Sequence, residues 1–162
     1  MRKLIISAAI LFTVSVSCSD ISFTHSHKGS DGLDFTSGTW LVNEIETENT
    51  EDSKESLTGI LLEKLNEMGG GSIIYIESAP DRWKLPQPLP FHTDPVMLDS
   101  IAVYFDYDYL FNVKTSTIKS ESGGIAFGEQ DLAHQVRVEI MVYDIKKSQN
   151  VYYQDIIARI NP

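Results

Sequence analysis

The stretch LAHQVRVEIMVYD, residues 132–144, decides the fold class because its apolar residues recur with the period of a β-strand. Four aliphatic side chains share one predicted face: Val136, Val138, Ile140 and Val142. The side chains between them would point to the other face: Arg137, Glu139, Met141 and Tyr143. Such alternation is typical of an antiparallel sheet with one covered face and one solvated face.

Flanking segments extend this strand into a sheet. The polar turn DIKKSQN (144–150) leads into VYYQDIIARI (151–160), which predicts a hairpin, and DYLFNVKTSTIKS (108–120) predicts another long strand. TWLVNEIE (39–46) and SIIYIES (72–78) are shorter candidates. We therefore expect a mainly antiparallel sheet of about four strands.

Two helices are predicted between the strands. The first carries apolar residues at helical spacing: Leu57, Ile60, Leu61, Leu65 and Met68. Asp52 is its expected N-cap with Glu55 as capping-box partner, and the glycines 69–71 are its expected stop. The second would start with Asp94 as N-cap and Pro95 in the first turn. Both helices are expected to cover one face of the sheet, which makes a two-layer α+β domain.

The amino-terminal segment MRKLIISAAILFTVSVSCSD (1–20) is typical of an export signal. Arg2 and Lys3 precede an apolar run that is too short to span a membrane but fits a signal peptide. Cys18, the one cysteine of the chain, lies near the end of this segment, directly after Ser17. The alternatives are lipidation of Cys18 or an ordinary signal peptide cleaved nearby, with Cys18 incidental.

The segment resembles a bacterial lipoprotein signal, although Ser15 stands where that pattern usually has a large aliphatic residue. The resemblance implies that residues 1–17 are removed, that Cys18 carries acyl chains, and that Ser19 directs the protein to the outer membrane. Residues 18–38, which are rich in Ser, Gly and Asp, then read as a flexible tether. Residues 39–162 would form a single α+β domain.

The charge balance excludes some partners. The 162 residues carry 13 basic and 23 acidic side chains, a formal net charge of −10. A chain this acidic repels phosphate backbones, and it has no polybasic patch for anionic lipids. Nucleic-acid binding is therefore not expected.

The order of elements gives a second resemblance. A helix, a short strand and the long strands YLFNVKTST, VRVEIMVYDIKKSQNV and YYQDIIARI, within residues 52–160, resemble small envelope lipoproteins with an anticodon-binding-like α/β domain. Penicillin-binding-protein activators and curli-secretion lipoproteins have this layout. The resemblance implies a non-enzymatic protein without a cofactor, which docks onto another component of the cell envelope.

The candidate partner-binding element is the loop APDRWKLPQPLPFHTDP (79–95), which holds five of the six prolines. Proline-rich loops of this length are exposed connections, and aromatic side chains are frequent at binding hot spots. Its apolar residues either bind a partner or fold back as a structural flap: Trp83, Leu85, Leu89 and Phe91.

Two alternative functions rest on polar residues. Asp99, Asp106 and Asp108 would supply the carboxylates of a small exported hydrolase. His25 and His27 have a spacing that can chelate zinc or copper in a ligand- or metal-binding protein. His92 and His134 are isolated histidines, and no nucleophile motif accompanies them.

Overall fold

The computed structural model describes residues 21–28, 33–48, 50–68, 71–80, 82–85, 89–118 and 134–160. These residues form seven strands and two α-helices, and none of their helices is long and apolar enough to cross a membrane. Two 3₁₀ turns, Ile76–Ser78 and Arg82–Lys84, follow the fourth strand. In chain order the main elements are β1 (Ile21–Lys28), β2 (Thr39–Val42), β3 (Glu46–Thr47), α1 (Glu51–Met68), β4 (Ser72–Tyr75), α2 (Pro95–Tyr104), β5 (Tyr109–Ile118), β6 (His134–Asp144) and β7 (Gln149–Ile160).

The strands make one mixed sheet in the order β1-β7-β6-β5-β2-β4, with β3 pairing to β5 beyond β2. The β1–β7, β7–β6 and β6–β5 pairs are antiparallel, whereas β2–β4, β2–β5 and β3–β5 are parallel. The predicted α+β class is confirmed. The sheet is larger than the expected four strands, and half of its pairings are parallel.

The strand β1 falls where a flexible tether was predicted. Its eight residues pair with β7 from Ile21 opposite Ile160 to Lys28 opposite Tyr153. A continuous ladder supplies backbone hydrogen bonds that the composition of the segment does not reveal, and a polar strand can form against it. Of the predicted tether, residues 21–28 thus belong to the sheet. The predicted signal peptide and Cys18 lie outside the described residues.

The two helices lie on opposite faces of the sheet, so the prediction that they share one face is wrong. On the α1 face, Leu65 packs in a cluster with Trp40 and Phe111. On the α2 face, Leu98 packs in a cluster with Leu41. Since successive side chains of a strand point to opposite faces, the neighbours Trp40 and Leu41 separate the two clusters.

The second covered face changes the interpretation of β6. Val138, Ile140 and Val142 belong to the α1 face as predicted. Met141 and Tyr143 are also buried, on the α2 face, because α2 and the proline-rich loop cover that end of the strand.

The helix ends follow the predictions in part. Asp94 caps α2, because its Oδ1 accepts a hydrogen bond from the Met97 backbone N–H at 2.8 Å and Pro95 occupies the first turn. The first helix begins at Glu51, so Asp52 is not its N-cap and lies inside its first turn. An acidic residue there favours the helix through the macrodipole.

Candidate partner-binding layer

The proline-rich loop is fastened to the sheet by buried side chains. The Asn43 amide donates to the Leu89 carbonyl at 2.9 Å, and the Asn112 amide donates to the Phe91 carbonyl at 2.8 Å. The Thr93 backbone N–H donates to the Tyr143 hydroxyl at 3.0 Å. Burial raises the pKa of Tyr143, which keeps it a neutral partner at physiological pH. Buried polar contacts of this kind hold a connection in one conformation.

Three of the four candidate residues of the loop face inward. Leu85, Leu89 and Phe91 are 4%, 6% and 3% exposed and pack in the cluster that includes Leu98 of α2. They therefore build the underside of a layer made of the loop and α2. A partner could contact them only if this layer came off the sheet.

Trp83 is placed differently. It lies in the 3₁₀ turn Arg82–Lys84 and is 80% exposed, with the Lys84 ammonium 5.1 Å from the ring centroid. Leu85, which directly follows the turn, is buried and attaches the turn to the core. The loop thus presents one large aromatic side chain to solvent from a fastened base.

The outer side of α2 carries further exposed apolar residues that were not singled out from the sequence. Val96 and Val103 are both 75% exposed, and Tyr104 is 64% exposed. Residues seven apart lie on the same side of a helix, so the two valines form one strip opposite the buried Leu98. The signal was present in the sequence as apolar residues on both sides of a short helix. We call Trp83, Val96, Val103 and Tyr104 the outer patch.

The carboxylates proposed for a hydrolase hold the structure together. Asp108 accepts hydrogen bonds from the Thr39 backbone N–H at 2.8 Å and from the Lys146 ammonium at 2.6 Å. Asp106 lies 3.3 Å from the same ammonium, and Asp99 accepts a hydrogen bond from the Ser148 hydroxyl. All three carboxylates therefore contact the turn between β6 and β7.

The electrostatics of Asp108 do not suit a general acid. The hydrogen bonds from Lys146 and from the Thr39 N–H lower the pKa of the Asp108 carboxyl. A glycosidase acid needs the opposite shift, which comes from burial or from a second carboxylate. Asp108 is placed to join the starts of β2 and β5 to the β6–β7 turn.

The histidines do not form a site within the described residues. His25 and His27 occupy alternate positions of β1, and His134 starts β6, but their side chains lie outside the description. His92 is exposed, with its ring edge-on to Phe91 at 4.9 Å. Among the side chains that are described, no group of three metal-ligating residues occurs.

Two open clefts of about 380 and 420 Å³ meet at the start of α1. Lys54 lies between them, 2.9 Å from Glu44 and 3.3 Å from Glu51. Glu44 and then Glu51 raise the pKa of the Lys54 ammonium. Since its charge is matched by carboxylates, Lys54 is not a free cation for an anionic ligand.

No protein-family model and no curated protein sequence matches this chain. Among solved structures, the PelC dodecamer from Paraburkholderia phytofirmans is 15% identical with a TM-score of 0.52, covering 86% of this chain and 83% of that chain. A point variant of that dodecamer is 13% identical with a TM-score of 0.53, covering 86% and 84%. Lipoprotein GNA1162 from Neisseria meningitidis is 11% identical with a TM-score of 0.49, covering 75% and 83%. At these identities the likeness to PelC is one of fold.

Proposed function

We propose that this protein is a lipid-anchored, non-enzymatic lipoprotein of the bacterial envelope, whose domain binds another envelope protein through the outer patch. The observation that carries the proposal is the outer side of α2, where Val96 and Val103 are each 75% exposed on one helix side. With Tyr104 and Trp83 they place apolar side chains on a single layer of an acidic domain. Exposed apolar side chains on one side of a helix, with an exposed tryptophan in the same layer, favour protein docking.

The rigidity of the layer supports binding. Leu85, Leu89 and Phe91 pack beneath it, and Asn43 and Asn112 hold the loop carbonyls. A preorganised surface loses little conformational entropy when a partner binds. The buried residues of the predicted binding loop therefore act as its base, and Trp83 as its contact.

The amino-terminal sequence supports the anchor. Cys18 follows an apolar run and is the one cysteine in the chain. Two or more acyl chains anchor a protein stably, whereas one chain binds membranes only marginally. Ser19 after the cysteine favours the outer membrane, by resemblance to enterobacterial sorting.

The test of docking is site-specific photo-crosslinking in living cells. A photoreactive amino acid at position 83 or 103 is expected to crosslink one defined envelope protein. The matched control is position 63, an exposed glutamate of α1 on the opposite face of the sheet. Equal crosslinking from position 63, or none from positions 83 and 103, would contradict the proposed surface.

The test of the anchor is the intact mass of the mature amino terminus, purified from membranes. We expect a chain that starts at Cys18 and carries the added acyl mass. A chain that starts elsewhere without lipid would make this a free exported protein.

A further inference from the structure

The antiparallel half of the sheet carries an apolar surface on the α1 face. Phe23, Ala158 and Val136 are direct cross-strand neighbours, and Ile156 and Val138 are neighbours in the next row on the same face. We call these five residues the apolar shelf. Phe23 is 65% exposed and the other four are half-buried. Within the described residues, Val138 is the shelf residue that packs against the α1 cluster.

The other face of the same strands is polar. Arg137 binds Asp155 through two hydrogen bonds of 2.9 and 2.7 Å, and Tyr153 donates to Glu139 at 3.0 Å. The shelf rows, by contrast, end on β5 in Thr117 and Thr115, and the five shelf residues are all uncharged. On β1 the second row continues to His25, whose side chain lies outside the description. In a chain with 23 acidic residues, an uncharged surface of this extent is one that can approach anionic headgroups.

The position of β1 brings the acylated amino terminus next to the shelf, if Cys18 is lipidated as proposed above. Only three residue steps separate Cys18 from Ile21, the first residue of β1, and they span at most about 11 Å. Ile21 pairs with Ile160 at the end of β7, and Phe23 follows two residues later. The sheet end that carries Phe23 is thus tied close to the acyl chains.

We propose that the lipid bilayer covers the apolar shelf, so that the domain rests on the membrane with Phe23 in the headgroup region. The acyl anchor keeps the shelf at a high local concentration next to the lipid, so a weak surface contact is sufficient. The outer patch belongs to the opposite, α2 face of the sheet. This orientation therefore turns Trp83 and α2 away from the bilayer and toward an envelope partner.

The test uses the acylated full chain in vesicles of phosphatidylethanolamine and phosphatidylglycerol. Acylation blocks the thiol of Cys18, so one introduced cysteine takes a fluorophore selectively. Thr117→Cys places the label at the end of a shelf row, and Thr24→Cys places it on an exposed threonine of the other face. We expect lipid-attached nitroxide to quench the label at position 117 severalfold more than the label at position 24.

Substitutions separate shelf contact from simple proximity. Phe23→Ser is expected to reduce the quenching at position 117 severalfold while the protein still floats with the vesicles. Ile157→Ser, a half-buried apolar position on the other face, is the control that should leave the quenching unchanged. Thermal unfolding of each variant checks that the fold is retained.

Three outcomes would overturn the proposal. Equal quenching at positions 117 and 24, or none at either in floating vesicles, means that the shelf does not rest on lipid. Energy transfer between labels at position 117 without lipid quenching means that a second copy covers the shelf. A free Cys18 thiol and protein that does not float would instead refute the lipid anchor on which this inference rests.

Discussion

The two halves of the sheet differ in how far they are covered. One half is packed on both faces and contributes most to the stability of the fold, and the other leaves more of its strands accessible to solvent. The parallel half, with β2 and β4 beside β5, lies between α1 and α2 and contains Leu41, Leu110 and Val42 at 0–1% exposure. The antiparallel half extends as β6, β7 and β1 with strands of 8–12 residues. There the described aliphatic side chains of β7, which are Val151, Ile156, Ile157 and Ala158, are half-buried. We expect stability to be concentrated in the first half, whose covering layer carries the outer patch, and the solvent-accessible sheet surface of the apolar shelf to lie in the second.

Truncation of one aliphatic residue in each half gives the largest expected contrast. Leu110→Ala removes a fully buried side chain between two covered faces and should cost about 2–5 kcal/mol of unfolding free energy. Ile156→Ala on the apolar shelf should cost about 1 kcal/mol, because this side chain is only half-buried. Urea unfolding measures both, and equal losses would mean that the two halves are equally well packed.

Removal of a side chain that fastens the proline-rich loop to the sheet tests whether the covered half also keeps the outer patch in place. Asn112→Ala removes the amide that donates to both the Pro90 and the Phe91 carbonyls and should cost about 1–3 kcal/mol. The Pro90 carbonyl keeps the Thr93 hydroxyl at 2.9 Å, whereas the Phe91 carbonyl keeps only the Tyr143 hydroxyl at 3.4 Å. It should also speed tryptic cleavage near Arg82 and Lys84. Asn66→Ala, which removes an exposed amide that donates to the Leu62 carbonyl within α1, is the control. If the two variants were cleaved at the same rate, the loop would not depend on Asn112.

Alanine substitutions at two glycines are expected to change the stability of the protein in opposite directions. Gly38 has φ +82°, and an added Cβ would lie 3.1 Å from the Asp108 carboxylate, so Gly38→Ala should cost more than about 1 kcal/mol. Gly59 lies on the exposed side of α1, where a Cβ would meet no atom within 4 Å. Gly59→Ala should therefore stabilise the protein by about 1 kcal/mol through helix propensity. Differential scanning calorimetry checks both, and a stabilised Gly38→Ala would contradict the geometry of the turn before β2.

The smallest expected effect is a change in the acid sensitivity of stability. It is tested with one carboxylate from each half of the sheet. Lys146 lowers the pKa of Asp108, and Arg137 lowers the pKa of Asp155. A carboxyl whose folded pKa is depressed stabilises the fold above its unfolded value of about 3.9, and this contribution is lost as pH falls through the folded pKa.

Asp108→Asn and Asp155→Asn should each lower stability at neutral pH by about 1 kcal/mol, as expected for ion pairs that are partly open to solvent. Each should also make the fall of Tm below about pH 4 shallower. Asp106→Asn is the control, since that side chain is 96% exposed. Unchanged acid profiles for both variants would show that neither carboxylate contributes through its charge.

The sequence predicts the local features well and the placement of layers poorly. The cap of α2 at Asp94 is a local interaction, and the alternation of β6 is a local pattern. The face that α2 covers depends on long-range packing. The sequence of β6 does contain a local sign of this packing. On its second face the residues change from Arg137 and Glu139 to Met141 and Tyr143, which indicates that this face is covered at one end only.

The same limit applies to β1 and to the candidate surface. No periodic apolar pattern marks ISFTHSHK as a strand, because its pairing with β7 is supplied by the far end of the chain. In the proline-rich loop, composition predicted an exposed segment with apolar residues. Which of them point inward is decided by carbonyl contacts with Asn43, which follows β2, and with Asn112 of β5.

The pairing of β1 with β7 also has a consequence for the order of folding. Ile21 and Ile160 are partners although nearly the whole chain separates them, so their contact closes the longest loop that this fold requires. During synthesis β1 is made more than 100 residues before β7, its only partner among the described strands. Until that strand is made, the backbone N–H and C=O groups of β1 have no partner in the sheet, so β1 is expected to be among the last strands to join the folded domain.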